Sequence, residues 1–289
     1  MERITRALEL AYAERAARHE PTTRSESARS ELAWAESKIT VVPPHPVAST
    51  ESVDFTDTVM FRSPVFELMD EVRERERILP PNAAGPHGGA YKMLRTQVLH
   101  RLDQLGANTL AVVSAAPGAG KTLTAINLAI AIAAEAGRTA LLVDFDLRNP
   151  SIARRLGYQP ELGVEECLQQ RRPVQEAMFK IAGYERLTVL PARGRLEHSS
   201  ELLSSSRAGE LITEMRTRYA NRILIFDVPP VLQADDVLAF TRCVQAGLLV
   251  IGEGKTRRED VPRTLELLRD LKFVGTVLNG SRERVATYY

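Results

Sequence analysis

The run Ala115-Ala116-Pro117-Gly118-Ala119-Gly120-Lys121-Thr122 constrains this chain more than any other stretch. It follows an apolar segment, TLAVVSA over 109–115, and opens a helical one, LTAINLAIAIAAEAG. A strand, a glycine-rich loop and a helix, in that order, make a cradle for phosphate. Glycines let the backbone curl so that successive N–H groups point inward at phosphate oxygens. The helix N-terminus adds its partial positive charge at the same place. Lys121 is placed to reach β- and γ-phosphates, and the Thr122 hydroxyl to ligate Mg2+. Ala115 stands where the common pattern carries its first glycine, a position that accepts a small residue. The expected nucleotide contacts are therefore Ala116, Pro117, Gly118, Ala119, Gly120, Lys121, Thr122 and Leu123, and the expected ligands are ATP and Mg2+.

The surroundings repeat the same alternation. Further strands are predicted at 139–145, 187–192, 222–228, 246–253 and 273–279. Helical patterns are predicted at about 90–105, 121–136, 206–219, 236–243 and 258–271. Continuous apolar strands alternating with helices imply a parallel sheet covered on both faces. The predicted fold is α/β: a doubly wound, mostly parallel sheet over residues 86–281. In such sheets ligands bind beyond the carboxyl ends of the strands. Strand ALLV ends there in Asp144-Phe145-Asp146, and strand ILIF ends in Asp227 followed by Val228-Pro229-Pro230. Three carboxylates thus converge on the phosphate loop. Mg2+ takes hard oxygen ligands and keeps several waters, so one or two of the three suffice. One is left to orient or deprotonate a nucleophile, and Asp144 or Asp146 is the candidate. The alternative for one of that pair is to cap the following helix or to pair with Arg148.

Ahead of this domain the pattern is weaker. Residues 1–20 place Ile4, Ala7, Leu8 and Ala11 on one helical face. Residues 21–85 read as a linker, largely disordered, rich in Ser, Thr, Pro and Glu around VVPPHPVAST. Within it, 63–78 has a helical pattern opened by Ser63-Pro64. Trp34 in this stretch has no assigned role. Residues 282–289 form a tail carrying Tyr288 and Tyr289.

Charge and cysteine narrow the classes. There are 38 basic and 37 acidic residues, which argues against bulk electrostatic binding to nucleic acid or to an anionic membrane. Cys167 and Cys243 are far apart, so neither a zinc site nor a disulfide framework is suggested. No run approaches the roughly 18 apolar residues of a spanning helix, and no apolar signal core follows the first residues. A cytoplasmic protein is expected, with any membrane attachment through a partner.

The runs SAAPGAGKT, LLVDFDLRNP and IFDVPPVLQADD together resemble the Walker A, Walker A′ and Walker B motifs of bacterial tyrosine kinases. That family serves capsule and exopolysaccharide assembly and has a P-loop NTPase fold. The likeness covers about residues 85–280. It implies an ATP-dependent autokinase that phosphorylates tyrosines in its own tail, in trans. Lys121 and Thr122 become the phosphate and Mg2+ residues, and Asp144 and Asp146 the Walker A′ pair. Asp227 becomes the Walker B carboxylate. Thr122, Asp144 and Asp227 are then the candidate metal ligands, and Lys121, Asp144 and Asp146 the catalytic set. Asp236 falls at the acidic position after the Pro-Pro segment. Asn279 resembles the residue that hydrogen-bonds adenine in related ATPases. Tyr288 and Tyr289 become the autophosphorylation sites. The implied partners are a separate transmembrane polysaccharide co-polymerase, which would hold the chain peripheral to the inner membrane, and further copies of the chain, as a ring or dimer. The stretch matching the family's ring-building Glu-x-x-Arg-x-x-Arg segment runs from Gly89 to Arg95 and keeps Arg95 alone.

Two other readings compete. A positioning ATPase related to chromosome-partitioning proteins shares the fold, but Ala116 stands where its phosphate loop carries an extra Lys. A regulatory subunit would bind ATP and phosphorylate nothing.

Overall fold

The computed structural model describes residues 63–197, 199–219, 221–233 and 236–281. The expected helix at 1–20, the linker over 21–62 with Trp34, and the tail with Tyr288 and Tyr289 lie outside them. Strands form where the apolar runs are: β2 (Thr109–Ser114), β3 (Thr139–Asp144), β5 (Leu187–Leu190), β6 (Arg222–Asp227), β7 (Ala246–Gly252) and β8 (Phe273–Asn279). Two short strands, β1 (Val65–Phe66) and β4 (Phe179–Ile181), complete an eight-stranded sheet of order β1-β4-β5-β3-β6-β2-β7-β8. All neighbours pair in parallel except β4 with β5.

The parallel interior follows from two-sided burial. Along β2, Leu110 and Val112 pack into one apolar layer, while Ala111 and Val113 pack into the other. That is the two-residue alternation of a strand with no solvent face. The first layer is roofed by α2 (Gly85–Leu105) and α3 (Lys121–Ala133). The second is roofed by α5 (Val164–Gln169), α8 (Ser206–Arg218) and α9 (Asp236–Phe240). The remaining helices are α1 (Asp70–Arg75), α4 (Ile152–Leu156), α6 (Val174–Ala177), α7 (Ser199–Leu203) and α10 (Asp260–Leu267). No described helix is long and apolar enough to cross a membrane.

Residues 63–85 correct the sequence reading. They are not a linker, and 63–78 is not one helix. Val65 and Phe66 add an edge strand, with Lys180 N donating to the Pro64 carbonyl and Ala182 N to that of Phe66. The chain then turns into α1, and Leu68, Val72, Ile78, Leu79 and Ala83 are buried. The Asn127 side chain clasps this segment to α3. Its Oδ1 accepts from Leu79 N at 2.9 Å and its Nδ2 donates to the Arg77 carbonyl at 3.0 Å. Phe66, Tyr158 and Phe179 form an aromatic cluster whose Tyr158–Phe179 pair stacks at 3.9 Å between centroids. The helical pattern of 63–78 holds only over Asp70–Arg75; the strand and the buried contacts on either side are set by distant partners that the local pattern does not show. Helix α2 also begins earlier than predicted. Pro86 is tolerated in its first turn, and Gly88 packs against the Ala83 carbonyl, leaving no room for a Cβ.

Candidate functional site

At the carboxyl edge of the sheet, β2 runs into the glycine-rich loop and α3 begins at Lys121. Gly118 and Gly120 hold positive φ, 77° and 91°, which L side chains adopt at a cost. Gly120 has a second constraint. A Cβ there would strike the amide nitrogen of Asn279. That amide donates to the Ala119 carbonyl at 2.9 Å, so Asn279, the last residue of β8, braces the loop. On the same side a Cβ on Gly252 would approach the Ala119 Cα to 2.9 Å. The loop is therefore clamped between α3 and the ends of β7 and β8.

The three predicted carboxylates do come together. Asp144 and Asp227 close adjacent strands as direct register partners. Lys121 Nζ reaches Asp146 Oδ2 at 2.8 Å and Asp227 Oδ1 at 3.1 Å. The Thr122 hydroxyl donates to Asp227 Oδ2 at 2.6 Å. Asp144 takes the capping place weighed above: its Oδ2 accepts from Ser151 N at 3.0 Å and Ile152 N at 2.9 Å, at the start of α4. Its Oδ1 accepts from Asp146 N at 3.2 Å. Arg148 turns elsewhere and donates to Ser200 Oγ at 2.6 Å.

Burial sets the electrostatics. Asp144 and Asp227 are fully buried. Loss of solvent, followed by the Asp227 charge, pushes the Asp144 carboxyl up to about 8. Burial also raises Asp227, against the pull of Lys121. For Lys121, burial disfavours the ammonium, but Asp227 and Asp146 outweigh it and hold its pKa above the usual value. Even with Asp144 protonated, Asp146 and Asp227 share a single ammonium, which leaves negative charge uncompensated in a buried place. That imbalance, together with hard oxygen donors from Thr122 and Asp227, suits Mg2+.

Sequence reasoning missed Ser151. Its hydroxyl donates to Thr122 Oγ1 at 3.1 Å, and the residue is buried. The available signal was a serine just ahead of a short apolar-periodic run, a helix-start pattern. Asp236 begins α9. Arg95, kept from the ring-building pattern, forms an ion pair with Glu135 at 2.7 Å within the chain.

Similarity to known proteins bears on the fold and the family. An AAA-domain family model matches residues 107–251. The chain is 30% identical over 194 residues to tyrosine-protein kinase YwqD of Bacillus subtilis, covering 66% of this chain and 80% of that one. It is 30% identical over 182 residues to the succinoglycan biosynthesis transport protein ExoP of Rhizobium meliloti, covering 60% of this chain and 22% of that much longer one. Among solved structures, the kinase domain of the Escherichia coli tyrosine kinase ETK superposes with a TM-score of 0.64 at 25% identity, covering 78% of this chain and 93% of that one.

Proposed function

Because the chain belongs to the bacterial tyrosine kinase family of capsule and exopolysaccharide biosynthesis, we propose that it transfers the γ-phosphoryl group of ATP to tyrosine hydroxyls of its own tail, in trans. The observation that carries this reading is the convergence of Lys121, Thr122, Asp146 and Asp227 at the N-terminus of α3. A site built this way neutralises phosphate charge with a fixed ammonium, a helix end and loop amides.

Phosphoryl transfer needs positioning and charge neutralisation more than covalent help. Gly118 and Gly120 shape the loop whose N–H groups face the phosphates. Lys121 exchanges carboxylate oxygens for phosphate oxygens. Thr122 and Asp227 would hold Mg2+, with Asp144, beside Asp227 in register, as the further carboxylate of the metal set. Mg2+, when bound, neutralises charge on the phosphate oxygens. The acceptor of the phenol proton is Asp144 or Asp146. A tyrosine pKa near 10 makes such a base useful at neutral pH. Asp144 has the raised proton affinity, and Asp146 is the one of the two with some exposure. Asn279 supports the loop from β8, and any contact to adenine would come from the side chain's remaining oxygen.

The acceptors are Tyr288 and Tyr289. Each phosphate would bring a charge of roughly −1.5 to −2, and repulsion from the acidic centre would release the tail. The regulated process is polymerisation and export of an exopolysaccharide or capsule. The activator is a separate transmembrane polysaccharide co-polymerase, and the kinase works as a homo-oligomer at the inner membrane through that partner. One observation favours a second reading, an ATP-binding subunit that phosphorylates nothing. The Arg95 guanidinium, the remnant of the ring segment, is occupied by Glu135 within the chain.

Intact-mass spectrometry with tryptic mapping, after incubation with MgATP, separates the two. Phosphate on Tyr288 or Tyr289 that disappears in Lys121→Met establishes the autokinase. ATP turnover without phosphotyrosine favours the regulatory reading. Equal phosphotyrosine in a chain lacking both tyrosines removes the tail from the mechanism.

A further inference from the structure

Ser151 occupies a place that ordinary packing does not explain. Buried hydroxyls most often donate to backbone carbonyls. This one donates instead to another hydroxyl, Thr122 Oγ1 at 3.1 Å, and Thr122 passes its own proton to Asp227 Oδ2 at 2.6 Å. The three groups form a directed chain from Ser151 through Thr122 to Asp227. The Ser151 backbone is held independently, because its N–H donates to Asp144 Oδ2 at 3.0 Å. Its backbone is therefore fixed by one carboxylate, and its side chain is aimed at the partner of another.

A hydroxyl has one proton and two lone pairs. Thr122 spends its proton on Asp227 and one lone pair on Ser151, so a single lone pair remains, with a set direction. The Ser151 oxygen keeps its own acceptor capacity, 3.1 Å from a metal-ligand candidate. Mg2+ retains several waters when proteins bind it, and each needs an acceptor for its protons.

We propose that Ser151 is a positioning residue for the Mg2+ site, orienting the Thr122 hydroxyl from one side and accepting a hydrogen bond from a water of the metal site on the other. This rests on the MgATP reading above. Groups of this kind behind metal ligands typically change affinity by about 10- to 100-fold when removed. The role also couples α4 to the metal, since Asp144 anchors both Ser151 N and Ile152 N.

The test titrates Mg2+ against the full chain with a fluorescent ATP analogue and reads the half-maximal Mg2+ concentration for tight nucleotide binding. Ser151→Ala retains the backbone bond to Asp144. It is expected to raise that concentration about tenfold or more, with nucleotide affinity in excess chelator unchanged. Ser151→Thr, which restores a hydroxyl, should recover most of the loss. Thermal unfolding without nucleotide reports whether each variant folds. An unchanged Mg2+ midpoint in Ser151→Ala, or equal shifts in the Ala and Thr variants, overturns the assignment. Nucleotide binding by the unaltered chain that is indifferent to Mg2+ overturns the MgATP reading and this assignment with it.

Discussion

The centre of the sheet at its carboxyl edge and the flank formed by residues 63–85 are both buried, but they are held by opposite means. The centre encloses Lys121, Asp144, Asp146 and Asp227, joined by charge-assisted contacts of 2.8 and 3.1 Å. The flank is joined by aromatic stacking, aliphatic burial and the neutral Asn127 clasp. Buried ion pairs are weak contributors to stability, because desolvation offsets their attraction. Apolar burial contributes directly, at roughly 25 cal/mol per Å2. The difference separates two tasks. The flank closes the sheet edge, while the centre keeps excess negative charge in a place suited to a cation.

Four variants sharpen or break this contrast, and the largest effect belongs at the centre. Lys121→Met should lower phosphate incorporation by at least about 100- to 1,000-fold, read by phosphotyrosine mass spectrometry. It leaves Asp227 buried beside Asp144 without its cation. Wild-type nucleotide affinity in this variant would refute the charge argument. Next comes Phe179→Ala, which removes the fully buried ring stacked on Tyr158. It should cost about 3–5 kcal/mol in urea unfolding, while the protein that remains folded binds nucleotide within about twofold of normal. A larger loss of affinity would mean that flank and centre are coupled.

Asn127→Ala is expected to be milder. It strands the buried Leu79 N, at a cost of about 1–3 kcal/mol, while the carbonyl of the exposed Arg77 can turn to water. Denaturation with an unchanged m-value would check it. The smallest effect concerns pH. Burial raises the Glu165 carboxyl despite hydrogen bonds from Arg193 N and Gly194 N. The folded state then binds this proton more tightly than the unfolded state does. Its contribution is fully present below the ordinary carboxylate pKa near 4.3 and is lost as pH rises through the elevated folded value. Thermal midpoints of wild type and Glu165→Gln, compared from about pH 4 to 7, should move in favour of the variant as pH rises. A difference that does not change with pH would exclude the shift.

Much of the centre was legible before any coordinates. Strand, Gly118-Ala119-Gly120 and Lys121-Thr122 are contiguous, so local chemistry alone announces a phosphate site. The convergence of Asp144 and Asp227 on one edge followed from two apolar strands ending in acid, given that parallel strands share one carboxyl edge; their direct register pairing did not. The partners of those carboxylates were not legible. Nothing in the sequence says that Asp144 caps α4 while Asp146 takes Lys121, because both follow the same strand and differ only in which way the chain turns. Ser151 was missed for the same reason: its partner Thr122 lies 29 residues away.

By itself, then, the sequence determined the α/β class, the positions of the interior strands along the chain, the phosphate loop and the identity of the converging acids. Each rests on contiguous residues or on a period that a single element imposes. Only the tertiary structure decided that residues 63–85 close the sheet, that Asn279 braces the loop, and that Arg95 pairs with Glu135. It also decided the hydroxyl chain from Ser151 to Asp227. These contacts join residues far apart in the chain, and their energies depend on desolvation and direction, which exist only once the sheet has brought its edges together.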